Sequence, residues 1–257
     1  MSYIEVDHVH KEYIRDGKAF TVLNDVSLNF DKGEFICLLG PSGCGKSTLL
    51  NLIAGFENCT SGQVRIDGQV VSQPSIKYVT VFQQYGLLPW RTVLGNVELG
   101  LESKGVPKEK RQAIAEKYID MVGLTAAKNS HPTELSGGMQ QRVSIARAFA
   151  VEPEIIFMDE PFAALDALTR MSLQDEVTKL CREQGKTVVF VTHDIDESIV
   201  LADRVVILAA DPGRLKTIVP ITIADRSDRN SEEFLTIRNH IFEEFHMAHE
   251  EKIEYYI

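Results

Sequence analysis

The strongest constraint in the chain is an unbroken apolar run, Phe35-Ile36-Cys37-Leu38-Leu39, that leads directly into Gly40-Pro41-Ser42-Gly43-Cys44-Gly45-Lys46-Ser47. A run without alternation suits a strand buried on both faces, and such strands belong to sheets covered by helices. The segment that follows matches G-x-x-x-x-G-K-[ST], between an expected strand and an expected helix over Lys46 to Ala54. Its glycines let backbone amides approach a phosphate with no Cβ in the way, and the helix turns its positive dipole end toward the same anion. Lys46 adds a full charge for the β- and γ-phosphates, Ser47 offers a hydroxyl to Mg²⁺, and Thr48 offers another near the α-phosphate. Residues Gly40, Pro41, Ser42, Gly43, Cys44, Gly45, Lys46, Ser47 and Thr48 are therefore expected to cradle a nucleoside triphosphate.

The surrounding pattern is α/β. Ile4, Val6 and Val9 alternate with polar residues, as does Thr21 to Phe30, which predicts short strands at the start of the chain. Buried strands are expected at Tyr78 to Phe82, Ile155 to Met158, Thr187 to Thr192 and Arg204 to Leu208, with helices between several of them. The stretch from about Val93 to Ala150 has helical periodicity, including a helix from Lys108 to Val122 ended by Gly123, and reads as a helical lobe inserted into the core. After Pro220 the chain turns polar, and Ser231 opens a further helix. Its apolar residues Phe234, Ile237, Ile241, Phe242 and Phe245 are expected on one face, docking onto the domain. The expected organisation is a domain at 1–220, with the lobe at about 93–150, and a helical extension at 221–257.

Two further motifs carry chemistry. Ile155-Ile156-Phe157-Met158 ends in Asp159-Glu160: an acid at the strand end suits Mg²⁺ and its water shell, and its neighbour points elsewhere, where it can accept a proton from an attacking water. Leu135-Ser136-Gly137-Gly138-Met139-Gln140-Gln141-Arg142 precedes a helix running to about Ala150. Ser136, Gly137 and Gly138 at a helix start make a second anion-binding nest. One nucleotide does not need two nests; the arrangement makes sense if this one closes on the γ-phosphate held by another subunit.

Leu135 to Arg142 resembles the signature of ABC (ATP-binding cassette) ATPases, and the resemblance covers about Tyr3 to Leu208, with the motifs in that family's order. It implies a P-loop NTPase core of the ABC ATPase kind, with an N-terminal antiparallel β subdomain and an inserted helical lobe, using ATP and Mg²⁺. It further implies that Tyr13 stacks on adenine and that Gln83, or Gln84 beside it, senses Mg²⁺ and the attacking water. By the same resemblance Asp166, in Ala164-Leu165-Asp166, lies in the loop linking two sites across a dimer, and His193 contacts the γ-phosphate. Ala164 stands where the family often has Ser. Glu160, His193 and Gln83 are the expected catalytic residues; Ser47, Gln83 and Asp159 are the expected metal-binding residues.

Composition narrows the class. A net charge of −10 over 257 residues disfavours a general nucleic-acid surface. No apolar run approaches the ~20 residues of a membrane helix; Ser198 to Ala210 is interrupted by Asp203 and Arg204, and the N-terminus has no secretory h-region. Cys37, Cys44, Cys59 and Cys181 lack metal-like spacing, and His8, His10, His131, His240, His246 and His249 read as structural. A single cassette with no spanning helix fits a separate ATPase subunit on the cytoplasmic face of a membrane, better than a DNA-repair or translation factor or a vestigial regulatory subunit. Its expected partners are a second cassette, an integral permease and, indirectly, a periplasmic or lipid-anchored solute-binding protein. Leu87 to Val93 and Asp211-Pro212-Gly213-Arg214 are similar to the nitrate/sulfonate/taurine importer cassettes, implying uptake of a small oxyanion. Two placements are open for Trp90: packed between core and lobe, or exposed as an anchor for the permease.

Overall fold

The computed structural model describes residues 2–223, 226 and 228–250, with side chains as far as 245. The side chains of His246 and His249 and the end of the 221–257 segment lie outside the described residues. The chain forms two compact units, Met1–Ser75 with Gly185–Ile257, and Ile76–Gln184.

In the first unit, β1 (Ile4–Arg15) and β2 (Lys18–Phe30) form an antiparallel hairpin, and β1 also pairs with β4 (Ser61–Ile66), beyond which lies β5 (Gln69–Val70). Alternation places Ile4 and Val6 in the core, and a register shift between Val6 and Val9, with His8 at φ 47°, brings Val9 in beside them. The second sheet of this unit is built on β3 (Phe35–Leu39), buried at every residue and paired in parallel with β8 (Thr187–Val191) on one side and β9 (Arg204–Ala209) on the other. β10 (Arg214–Pro220) closes the far edge as an antiparallel partner of β9.

The entry to β3 is pinned by polar bonds. The Phe35 amide donates to Asp203 Oδ2 at 3.0 Å, and Glu34 forms a forked ion pair with Arg204, whose Nη2 also reaches Asn29 O at 2.7 Å. α1 (Lys46–Ala54) follows the strand, and α6 (Ile195–Leu201) follows β8.

α7 (Glu232–Glu250) starts as the capping pattern predicts: Ser231 Oγ accepts from the Phe234 amide at 3.2 Å. It packs on α6 and β9 through Phe234 and Ile241, both fully buried, and Arg238 Nε pairs with Asp196 of α6 at 2.7 Å. The expected stripe is corrected at one position, because Phe242 is 51% exposed. At about 100° per residue it lies roughly 80° around the helix from Phe234, outside the buried sector.

The second unit holds β6 (Tyr78–Val81) parallel to β7 (Ile155–Asp159), with Tyr78 opposite Ile155. Its helices are α2 (Val93–Ser103), α3 (Lys108–Met121), α4 (Gly137–Ala150) and α5 (Ala167–Glu183). Tyr118 and Phe149 stack at 6.5 Å where α3 meets α4. α2 approaches the end of α4 so closely that a Cβ on Gly100 would stand 2.3 Å from Val151 Cγ1. Among the described residues no helix is long and apolar enough to cross a membrane.

Truncating Phe234 leaves a cavity under α7. Phe234→Ala is expected to lower unfolding free energy by roughly 3–5 kcal/mol, measured by denaturant titration of the whole chain.

Candidate functional site

The phosphate loop leaves the end of β3 and returns into α1. Gly45 is the N-cap of α1 at φ 90°, and a Cβ there would meet Leu23 Cδ2 at 2.6 Å, so conformation and space both require glycine. α1 starts with no side-chain cap, as does α3 behind Pro107, whereas α2, α4, α5 and α6 start under Thr92, Ser136, Asp166 and Asp194. Helix-start amides need acceptors, and at α1 an anion suits them. Lys46 is 8% exposed, and its Nζ donates to Gly40 O at 2.8 Å and Pro41 O at 3.0 Å, which holds the cation inside the loop. Ser47 is exposed and Thr48 half-buried. Burial raises the Cys44 thiol against the opposing charge of Lys46, so its thiolate is scarce.

The loop is braced from behind by the Asp211–Arg214 motif. The Gly213 amide donates to Val22 O at 2.9 Å, and Gly213 O accepts from the Asn24 amide at 2.8 Å. A Cβ on Gly213 would stand 2.2 Å from Cys44 O.

Beside α1, the Tyr13 hydroxyl donates to Glu57 Oε2, and Thr48 lies within its hydrogen-bonding reach. Burial raises the phenol, and Glu57 raises it further. Lys11 Nζ sits 4.8 Å from the Tyr13 ring centroid and 3.1 Å from Glu57 Oε2, so the ring is held by its hydroxyl and covered by a cation on one face. His193 stands exposed between β8 and α6. The first unit thus carries Tyr13, Gly40 to Thr48 and His193.

The second unit carries the remaining motifs. Gln83 follows β6, is exposed, and lines a groove of about 500 Å³ with Gln84, Tyr85, Leu87, Pro89 and Gln140. Arg147 of α4 ties this segment down, donating to Gly86 O at 2.7 Å and Tyr85 O at 3.0 Å, and burial lowers its pKa. Asn96 of α2 is fully buried; it accepts from the Leu88 amide at 2.8 Å and donates to the carbonyls of Leu88, Arg91 and Thr92. That web presents Trp90 outward at 72% exposure, which removes the packed placement. Sequence reading passed over Asn96, although a polar residue beside Val93 and Val97 on a buried helix face was the available signal.

Ser136 caps α4, its Oγ accepting from the Met139 amide at 3.3 Å. A Cβ on Gly137 would come 2.7 Å from Tyr85 Oη, and one on Gly138 would come 3.2 Å from Ala164 O, so the signature rests on the loops after β6 and β7. Asp159 ends β7, and Glu160 follows at φ 47°. That left-handed conformation costs an L-residue roughly 1–2 kcal/mol. Asp166 caps α5, accepting from the Thr169 amide at 3.0 Å, and that amide holds its carboxyl below the usual range.

Among the described residues no three His, Cys, Asp or Glu side chains group as an all-protein metal cage. A hydroxyl, an amide and one carboxylate are hard oxygen donors suited to Mg²⁺, which keeps waters and takes phosphate oxygens as its other ligands. The residues present fit that ion.

The family model for ABC transporters matches residues 23–163. The chain belongs to the ABC transporter family as an ATP-binding subunit. It is similar to an uncharacterized ABC transporter ATP-binding protein of Methanocaldococcus jannaschii, 51% identical over 93% of this chain and 89% of that one. It is 50% identical over 82% of its length to a nitrate import ATP-binding protein of Synechococcus elongatus, and covers 32% of that protein. A bicarbonate transport ATP-binding protein of the same species is 47% identical over 82% of this chain, which again spans 32% of the relative. A solved ATP-binding cassette, dimeric in a post-hydrolysis state and bound to ADP and Pi, matches with a TM-score of 0.80 at 37% identity, over 86% of this chain and 99% of that one. The fold is the α/β ABC ATPase core, and the chain is a transporter ATPase that uses ATP and Mg²⁺.

Because Gly213 abuts the phosphate loop, Gly213→Ala is expected to push Cys44 out of place and weaken ATP binding roughly tenfold, about 1.4 kcal/mol. Titration with a fluorescent ATP analogue measures the change.

Proposed function

We propose that this chain energises import of a small oxyanion through a separate membrane permease, working as one of two cassettes that close on ATP. The observation that carries the nucleotide half of this reading is the α1 helix start, which has no side-chain cap and has a buried lysine beside it. The substrate half draws on the nitrate and bicarbonate transport relatives, both of which handle small oxyanions, and on the Leu87–Val93 and Asp211–Arg214 motifs.

In this reading Gly40 to Thr48 bind the phosphates, Tyr13 offers its open ring face to adenine, and Ser136 to Gly138 of a second copy contact the γ-phosphate. Ser47, Asp159 and Gln83 would hold Mg²⁺, which neutralises phosphate charge when bound. Glu160 takes a proton from the attacking water, the water oxygen bonds to the γ-phosphorus, and ADP leaves. His193 steadies the γ-phosphate during transfer, and Asp166 links the two sites. ATP favours closure because only the closed pair meets its γ-phosphate from both sides. Trp90 and the groove beside Gln83 face the permease, an exposed aromatic being a suitable contact anchor. The permease puts the subunit at the cytoplasmic face of the membrane, with a periplasmic or lipid-anchored binding protein delivering solute on the other side. The segment 1–220 is the ATPase domain, with its helical lobe at about 93–150, and 221–257 is an appended helical extension.

Glu160→Gln is expected to slow hydrolysis by roughly 10²–10⁴-fold while ATP still binds; a wild-type rate would remove the assignment. Lys46→Ala should instead abolish tight ATP binding, measured by equilibrium titration. For the substrate, the subunit reconstituted with its permease and binding protein in vesicles should hydrolyse ATP faster when nitrate, bicarbonate or a sulfonate is supplied. Indifference to all three sinks the oxyanion reading and leaves the ATPase standing.

A further inference from the structure

The turn that carries His193 is built more elaborately than a helix start requires. Asp194 caps α6, its Oδ1 accepting from the Glu197 amide at 3.0 Å. In an ordinary capping box the residue at the third helical position would accept directly from the N-cap amide. Here a hydroxyl is interposed: the Asp194 amide donates to Thr192 Oγ1 at 3.1 Å, and that hydroxyl donates to Glu197 Oε2 at 2.5 Å. Thr192 is 2% exposed and Glu197 is 7% exposed, so the relay is buried while His193, between its two anchored neighbours, is exposed.

The relay is also fixed to the strand that delivers the phosphate loop. The Thr192 amide donates to Leu38 O at 3.3 Å, one residue before the end of β3. Cys37 of β3, its thiol pushed well up by burial, also feels the charges of Glu197, Lys46 and Asp194, so these groups share one neighbourhood. A buried carboxyl is costly unless it is hydrogen-bonded, and a helix start needs only the Asp194 cap. The buried Thr192–Glu197 pair adds something the helix does not need: it holds the peptide on both sides of His193.

We propose that Thr192 and Glu197 are positioning residues for ATP hydrolysis, fixing the His193 peptide so that the imidazole stands where the γ-phosphate will be. This rests on the reading of His193 as a γ-phosphate contact. Neither side chain touches nucleotide; both act through His193. Losing the hydroxyl therefore slows the chemical step and leaves ATP binding, which the phosphate loop governs, nearly unchanged.

The test is a double-mutant cycle read by single-turnover hydrolysis, with ATP affinity and thermal midpoint measured on each variant. Thr192→Val keeps the branched shape and removes the hydroxyl; it is expected to slow hydrolysis roughly 10- to 100-fold with ATP affinity within about twofold. Thr192→Ser restores the rate, and Thr192→Val in a His193→Ala background adds no further loss. A merely structural role would shift the thermal midpoint and give additive losses, which overturns the proposal. If Thr192→Val does not fold, Glu197→Met, slow, and Glu197→Gln, restored, make the same comparison. A slow His193→Ala beside a normal Thr192→Val overturns the positioning role alone, whereas a wild-type rate in His193→Ala overturns the reading of His193 and the inference with it.

Discussion

The chemistry depends on β3 having no solvent face. Packed in parallel between β8 and β9, with every residue buried, the strand cannot slip register without forcing polar neighbours into the core. Glu34–Arg204 and the Asp203 bonds fix where it begins, so the chain is committed to where Leu39 ends and Gly40 turns. Val22 and Gly213 then support the loop from outside the sheet. The loop is placed by a rigid strand and a close-packed backbone, with little freedom left to its own polar residues.

Ser136, Asp166 and Asp194 each cap the helix that follows, an interaction generally worth about 1 kcal/mol. α1 differs, because the residue at its cap is glycine. A bound phosphate would do for α1 what the side chains do for the others. Local folding and ligand recognition therefore draw on the same need of helix-start amides for an acceptor.

This explains what was legible in the sequence. β3 and α1 have the predicted bounds, because an unbroken apolar run and a glycine-lysine loop are local signals. The helix before Gly123 likewise ends where a left-handed glycine, φ 66°, stops it. The strands β4, β5 and β10 were not anticipated: Ser61–Ile66 and Arg214–Pro220 mix polar and apolar residues, and Gln69–Val70 is exposed. β4 is a strand because β1, far back along the chain, offers it hydrogen bonds, and β5 and β10 are strands because they fold back onto β4 and β9. The roles of Asn96, Arg147 and Gly213 were hidden for a related reason, since each is defined by a carbonyl it meets only after folding. Phe242 was placed on the buried face for its apolar character alone, although its eight-residue spacing from Phe234 already sets it to one side of that face.

The order in which the chain is written has its own consequence. The first unit is assembled from Met1–Ser75 and Gly185–Ile257, and the second is continuous between them. On the ribosome, Phe35–Leu39 emerges early, yet both strands that flank it, Thr187–Val191 and Arg204–Ala209, are still unmade. The most apolar strand of the protein, and the loop that will meet ATP, must wait through synthesis of the entire second unit. During that interval the nascent chain exposes an unpaired hydrophobic strand, and newly made copies rely on dilution or chaperones to keep those strands from pairing with one another.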